Sequence, residues 1–255
     1  MEILQYGICQ VSAAPIRASE SDRSEIVSQL LFGELAEIME VGKPWIKVRC
    51  VADGYVGYMD FKQLHYIDEA DFEKNMRHMP YIVQDEELHA EGPGGIIRIL
   101  IGSSLPFFDE GIFKIGTQKF TLILEEELTA GRTIAETASI FLNAPYLWGG
   151  RSLHGIDCSG YTQIVAKLHG YQLPRDASKQ VHVGEAIEYA DREIGDFVFF
   201  VNSDEHVHHV GILIEKNKIL HASGWIREDK LDKKGIFRED FDEYTHRFHS
   251  IKRVL

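Results

Sequence analysis

The chain has 255 residues, 44% of them hydrophobic, enough to bury a core in one large domain or in two to three small ones. Its 27 basic and 40 acidic residues leave a net charge of -13, and no basic stripe with interleaved aromatics occurs, so nucleic acid and anionic surfaces are poor partners. The three cysteines, Cys9, Cys50 and Cys158, stand far apart without C-x-x-C spacing, which argues against a zinc ribbon or disulfide framework and fits a reduced protein. No stretch is long and apolar enough to span a membrane, so no membrane partner is expected. Met1 to Gln10 lacks a basic region followed by an apolar one, which makes the cytoplasm the expected location and a trimmed secreted chain the alternative.

Residues 1–66 alternate short apolar runs with turns: Gly7 to Val11, Ile26 to Leu31, Leu35 to Glu40, Trp45 to Cys50 and Tyr55 to Met59. This predicts a small β-barrel with Trp45 and Phe61 in its core and Cys9 and Cys50 as small buried hydrophobes. The segment WIKVRCVADGYVGYMDFKQL resembles the closing half of bacterial Src-homology-3-like (SH3-like) domains, and AAPIRASES with SQLLFGE resembles the opening half. That resemblance implies a wall-binding or packed accessory module. Residues 67–80 are charged, read as a linker, and end at Pro80. Residues 81–128 again read as β-rich, with strands at Tyr81 to Val83, Ile96 to Ile101, Ile112 to Ile115 and Phe120 to Leu124 separated by glycines. A second, divergent SH3-like domain is expected there, the alternative being a β-insertion serving the first barrel. Glu86, Glu87 and the run Glu125 to Glu127 read as solvated surface.

Residues 129–255 have a different pattern. Thr133 and Glu136 form a T-x-x-E capping box before the helical spacing of Ile134, Ala138, Phe141 and Leu142. The stretch APYLWGGRSLHGIDCSGY, Ala144 to Tyr161, then supplies loop glycines and an N-cap, Asp157, ahead of the apolar spacing Tyr161, Ile164, Val165 and Leu168. Cys158 thus falls in the first turn of a helix, where the dipole favours a thiolate. By itself this pattern fits a buried free cysteine as well as a nucleophile. Strands follow at Phe197 to Val201, Val207 to Ile214 and Lys218 to Ala222, then a less regular tail. Helices first and an antiparallel sheet after them predict an α+β fold.

A nucleophilic cysteine needs a base. His206, His208 and His209 cluster in sequence, but strand alternation points His208 and His209 to opposite faces, and no carboxylate or cysteine lies at ligand spacing, so no metal and no other cofactor is expected. His221 reaches the face of His209 if the connection near Lys216 and Asn217 has odd length or carries an equivalent bulge. His209 then serves as base and His221 as the group that orients it, the alternative for His221 being a structural histidine.

In order, Y-x-W-G-G at Tyr146, G-x-D-C-S-G at Gly155, G-D-x-V-F-F at Gly195, H-V-G-I at His209 and I-L-H-A at Ile219 resemble the NlpC family of papain-like cysteine peptidases, which cut cell-wall peptides. The resemblance covers about residues 130 to 255. It implies Cys158 as nucleophile, His209 as base, His221 as third polar residue and Tyr146 as an aid at the oxyanion. With the barrels in front, the chain is most similar to γ-D-glutamyl-L-diamino acid endopeptidases, which release L-Ala-γ-D-Glu from murein-derived peptides with a free N-terminus. The resemblance then assigns Asp176 to the substrate ammonium, unless it is an N-cap. It also places Ser159, Ser178, Asp157 and Trp148 beside the substrate, with Glu34 and Tyr55 (or Tyr58) from the first barrel closing the pocket. A monomer is expected. The rival readings are a secreted hydrolase of intact peptidoglycan and a non-catalytic wall-binding protein.

Overall fold

The structure, a computed structural model, describes residues 3–124 and 127–254. Two compact units divide the chain, one reaching to Ala130 and the other starting at Gly131. Glu125 and Glu126 of the acidic run lie outside the described residues, while Glu127 is exposed.

In the first unit, strands Gln5–Cys9, Ala13–Arg17, Ile26–Leu31, Leu35–Glu40, Trp45–Cys50, Val56–Asp60 and Leu64–Ile67 form one antiparallel sheet. Period-2 alternation decides which side chains enter its core: Ile46, Val48 and Cys50 are buried while Trp45, Lys47 and Arg49 between them are partly exposed. Trp45 is therefore a flanking residue, and Phe61 packs at the rim of the core. Ala13–Arg17 escapes the sequence reading because Pro15 interrupts it, as does Glu87–Gly92, which lacks β-branched residues.

The second β-rich stretch forms a four-stranded sheet of Glu87–Gly92, Gly95–Leu100, Ile112–Ile115 and Gln118–Ile123, with a short pair, Tyr81–Ile82 and Ser104–Leu105. Its core is continuous with the first sheet: Ile8, Phe32 and Ile67 pack with Val83, Phe113 and Phe120. Gly33, at φ +76°, permits this approach, since a Cβ there would sit 1.8 Å from the Ser104 carbonyl oxygen. The charged linker contains a helix, Glu69–Arg77, capped by Asp68, which accepts from Asp71 N–H at 2.8 Å. Phe72 on that helix stacks on Tyr6 at 4.1 Å.

The second unit opens with the helix Ile134–Ile140, whose capping box is complete: Thr133 accepts from Glu136 N–H and Glu136 from Thr133 N–H. The helices Cys158–Leu168 and Ala177–Gln180 follow. Strands Phe197–Val201, Val207–Glu215, Lys218–Ser223, Trp225–Leu231, Gly235–Arg238 and Glu243–Arg253 pair antiparallel in sequence, and the last also pairs with the first, closing the sheet on itself. All three helices pack against the strand Val207–Glu215. Strands outweigh helices in this unit, so the α+β description holds only loosely. The expected irregular tail is instead three strands, and they complete the ring around the site.

Candidate active site

Cys158 begins its helix because Asp157 holds an extended backbone conformation and accepts from Gly160 N–H at 2.7 Å. Such a cap is worth about 1 kcal/mol. The glycines around it are required by packing: a Cβ on Gly160 would lie 2.2 Å from the Gly150 carbonyl oxygen, and Gly149 takes φ +79° to donate its N–H to Asp157 at 2.8 Å. Arg175 donates through Nη1 to Asp157 Oδ1 at 2.9 Å and to Ser159 Oγ at 2.8 Å, and through Nη2 to Asp157 Oδ2 at 2.5 Å. Asp157 and Ser159, both assigned to substrate on resemblance, thus have their side chains engaged within the protein.

The start of this helix meets the histidine strand at residues 208–210. Cys158 Sγ lies 4.0 Å from the His208 carbonyl oxygen and receives hydrogen bonds from the N–H groups of Val210 and Ser159. Burial, with the Asp157 charge next to it, pushes the thiol up to about 12 in spite of those donors and Arg175. Burial thus opposes the thiolate that the helix start favours. Burial, with His246, His221 and His208 nearby, also drives His209 well below its ordinary value. Both directions favour a thiol beside a neutral imidazole, from which the proton moves as the sulfur attacks.

His209 and His221 come together through a bulge. Gly211 pairs with His221 and Leu213 with Ile219, after which Ile214 is looped out before Glu215 pairs with Lys218. That one extra residue gives His221 the face of His209, and His209 Nε2 lies 2.9 Å from His221 Nδ1. A second bulge leaves His208 unpaired between Val207 and His209, with its side chain exposed.

Two residues of the closing strands complete the cluster and were not anticipated from sequence. Asp229 Oδ2 lies 2.9 Å from His221 Nε2, and both residues are buried. Arg227 holds Asp229 in turn, with Nη2 2.8 Å from Oδ1 and Nε 2.7 Å from Oδ2, the latter an ionic contact without hydrogen-bond alignment. His246 stacks on His209. The signal that could have found Asp229 is strand parity: in WIREDKL, Asp229 and Leu231 share the buried face, where a charge needs a partner.

His209, His221 and His246 each bring a ring nitrogen within 4.8 Å of the others, a spacing that invites comparison with a metal centre. The rings of His209 and His246 lie within 28° of parallel, so their in-plane lone pairs run side by side, and the 2.9 Å bond to His221 already uses His209 Nε2. The arrangement suits proton transfer better than ligation.

Tyr146 is held by its N–H to the Gly224 carbonyl oxygen (3.0 Å). Burial and the neighbouring Cys158 and Asp157 push its phenol up to about 12, which keeps the O–H a donor. Trp148 is 59% exposed on the same loop. Asp176 occupies the N-cap position of Ala177–Gln180 but makes no side-chain cap bond; its half-buried carboxylate lies 3.2 Å from Lys179 Nζ. Gln180 ties this loop to the nucleophile helix through Ser159 O at 3.0 Å and Thr162 Oγ1 at 2.7 Å. Ser178 is exposed and borders a groove shared with His182, His206 and His249. In the other unit, Glu34 is buried and accepts from Leu31 N–H at 2.8 Å, while Tyr55 packs beside the barrel core and Tyr58 lies under Lys47 Nζ at 5.6 Å.

Residues 143–244 match the NlpC/P60 family, and residues 16–64 match the bacterial dipeptidyl-peptidase Sh3 domain. A γ-D-glutamyl-L-lysine dipeptidyl-peptidase of Bacillus subtilis is 30% identical over 217 residues, 77% of this chain and 72% of that protein. One from Bacillus cereus is 25% identical over 236 residues, 79% of this chain and 68% of that protein. The crystal structure of an NlpC/P60 family protein from Bacillus cereus has the same fold, with a TM-score of 0.81 at 19% identity, covering 98% of this chain and 99% of that one.

Proposed function

Because this chain belongs to the NlpC/P60 family, we propose that it is a cysteine peptidase of the dipeptidyl-peptidase type that acts on peptidoglycan-derived peptides, hydrolysing the bond between γ-D-glutamate and the following L-diamino acid. The observation that carries this reading is Cys158, seated at a capped helix start against the strand that presents His209, itself bonded to His221.

In the mechanism, the Cys158 sulfur attacks the γ-carbonyl of D-glutamate as His209 takes the thiol proton. His209 then returns it to the leaving amine of the diamino acid. Water, deprotonated by His209, attacks the thioester and frees L-Ala-γ-D-Glu. The Tyr146 hydroxyl and the Cys158 N–H stabilise the oxyanion of each tetrahedral intermediate. Asp176 faces the free ammonium of the N-terminal L-alanine; its carboxylate is not spent on the helix cap and exchanges its contact with the exposed Lys179 for that ammonium.

An ammonium subsite restricts the enzyme to released peptides, because in intact wall that nitrogen is acylated. The reading therefore includes peptide recycling in the cytoplasm, in preference to lysis of intact wall. The test is hydrolysis of L-Ala-γ-D-Glu-L-Lys, of its N-acetyl derivative and of whole sacculi, with products identified by mass spectrometry. Cleavage of the first alone is expected; equal cleavage of the acetylated peptide or of sacculi would refute the restriction.

A further inference from the structure

We propose that Asp229 is a positioning residue for the reaction: through His221 it fixes the tautomers of both imidazoles and thereby dedicates Nδ1 of His209 to the proton of Cys158. The inference rests on the reading of Cys158 and His209 as nucleophile and base, and goes beyond it by adding a member from a strand that carries none of the family-like motifs.

The hydrogens along the buried row are fixed one after another, starting from the carboxylate. Asp229 is 7% exposed, His221 1% and His209 5%, so water does not compete for their bonds. A carboxylate only accepts, so the 2.9 Å contact between Asp229 Oδ2 and His221 Nε2 requires the hydrogen on Nε2. A neutral His221 then has a lone pair on Nδ1. The 2.9 Å contact to His209 Nε2 can form only if His209 supplies the hydrogen. A neutral His209 with its hydrogen on Nε2 has its lone pair on Nδ1, the one ring nitrogen outside the row and the remaining acceptor for a thiol proton. Without Asp229 both tautomers of His221 are open, and the form with hydrogen on Nδ1 pushes the hydrogen of His209 onto Nδ1, where it blocks the base.

Strand register builds this row. His221 pairs with Arg227 and Ile219 with Asp229, so Asp229 is the diagonal neighbour of His221 on the same face. Arg227 keeps the carboxylate ionised and is itself held by Asp240, which Arg238 grips through two bonds of 2.9 Å. Burial alone would raise the carboxyl; the bonds from His221 and Arg227 outweigh it. When His209 takes the thiol proton, the charge it gains faces a row that ends in an anion.

The decisive measurement is the tautomer itself. Protein carrying 15N-labelled histidine, read by long-range 1H–15N correlation spectroscopy at neutral pH, is expected to show His209 and His221 both with hydrogen on Nε2. Either residue with hydrogen on Nδ1 would overturn the proposal, and no substrate is involved, so the outcome is independent of the peptide assignment. Asp229→Asn, which can offer an N–H to His221, is expected to move His209 toward the Nδ1–H form and to lower kcat by about 10²-fold with little change in KM, a smaller loss than removing a directly bonded triad carboxylate. Asp229→Glu is expected to restore the Nε2–H form and part of kcat. An Asn variant with unchanged kcat and tautomers would leave Asp229 a purely structural partner of Arg227. If that variant does not fold, the spectrum of the unmodified protein still decides.

Discussion

The ring of His246 lies against the ring of His209, with centroids 4.1 Å apart and planes 28° from parallel. His246 comes from the strand that closes the sheet, so the pairing that completes the ring also sets this residue against the base. Burial lowers His246 to about 3, and at working pH it is therefore an uncharged plate that limits rotation of the base. Replacing it by another aromatic keeps the plate. We expect His246→Phe to retain kcat within a few-fold and His246→Ala to lose about 1–2 kcal/mol of stability together with about tenfold in kcat. Urea melts and steady-state kinetics check both; equal behaviour of Phe and Ala would show that the stacking does not matter.

Acid should destabilise the C-terminal unit through the same cluster. His209, His221 and His246 are all lowered by burial, so the unfolded chain binds more protons than the folded one below about pH 6.5. Their stability contribution is complete above that pH and is lost as the pH falls toward the folded values. The loss approaches about 1.4 kcal/mol per pH unit for each imidazole that stays neutral in the fold. Denaturant midpoints measured at pH 7.5, 6 and 5 should fall in that order; a flat or rising series would contradict neutral, buried imidazoles.

Much of this site was legible because its residues obey local rules. Asp157 caps, Thr133 and Glu136 box, and Gly150 of W-G-G and Gly160 of D-C-S-G sit where backbone passes close to backbone. The shared face of His209 and His221 was legible as a parity argument, and the bulge at Ile214 satisfies it. Asp229 and His246 were not, because the strands that carry them are short of apolar residues. In Glu243–Arg253 the only fully buried side chain is Ile251, and the rest of the strand reads as polar. Such strands are held by ring closure and by pairing with neighbours that carry the hydrophobic signal. The proton state of Cys158 is hard to read from sequence for a related reason: a helix start is visible there, whereas the burial that opposes its effect is a property of the assembled sheet.

Reactivity of the free enzyme should reflect that proton state. With the thiol raised to about 12, alkylation of Cys158 by iodoacetamide should rise steadily with pH and show no thiolate plateau between pH 5 and 8. Peptide mapping separates Cys158 from the buried Cys9 and Cys50. A plateau already present at pH 5 would indicate a preformed ion pair with His209.

Arg175 should be needed for folding before it is needed for catalysis. It is 2% exposed and neutralises Asp157, so Arg175→Met leaves a buried carboxylate beside Cys158 at a cost of about 3–5 kcal/mol. The double change with Asp157→Asn, which keeps an N-cap side chain, should recover most of that loss. Melting curves of the two variants test this, and an Arg175→Met protein as stable as the parent would contradict it.

Tyr146→Phe should act on the chemical step. Losing one donor to the oxyanion is expected to lower kcat by about 10²–10³-fold with KM little changed. A rise in KM at constant kcat would make Tyr146 a binding residue instead.

If Cys158 is the nucleophile, its loss abolishes release of the dipeptide. The direct measurement is mass spectrometry of L-Ala-γ-D-Glu-L-Lys incubated with the parent protein and with Cys158→Ala. L-Ala-γ-D-Glu and free lysine are expected from the parent, and intact peptide from a folded Cys158→Ala protein. Undiminished cleavage by the variant, or cleavage at the alanyl bond, would contradict this expectation.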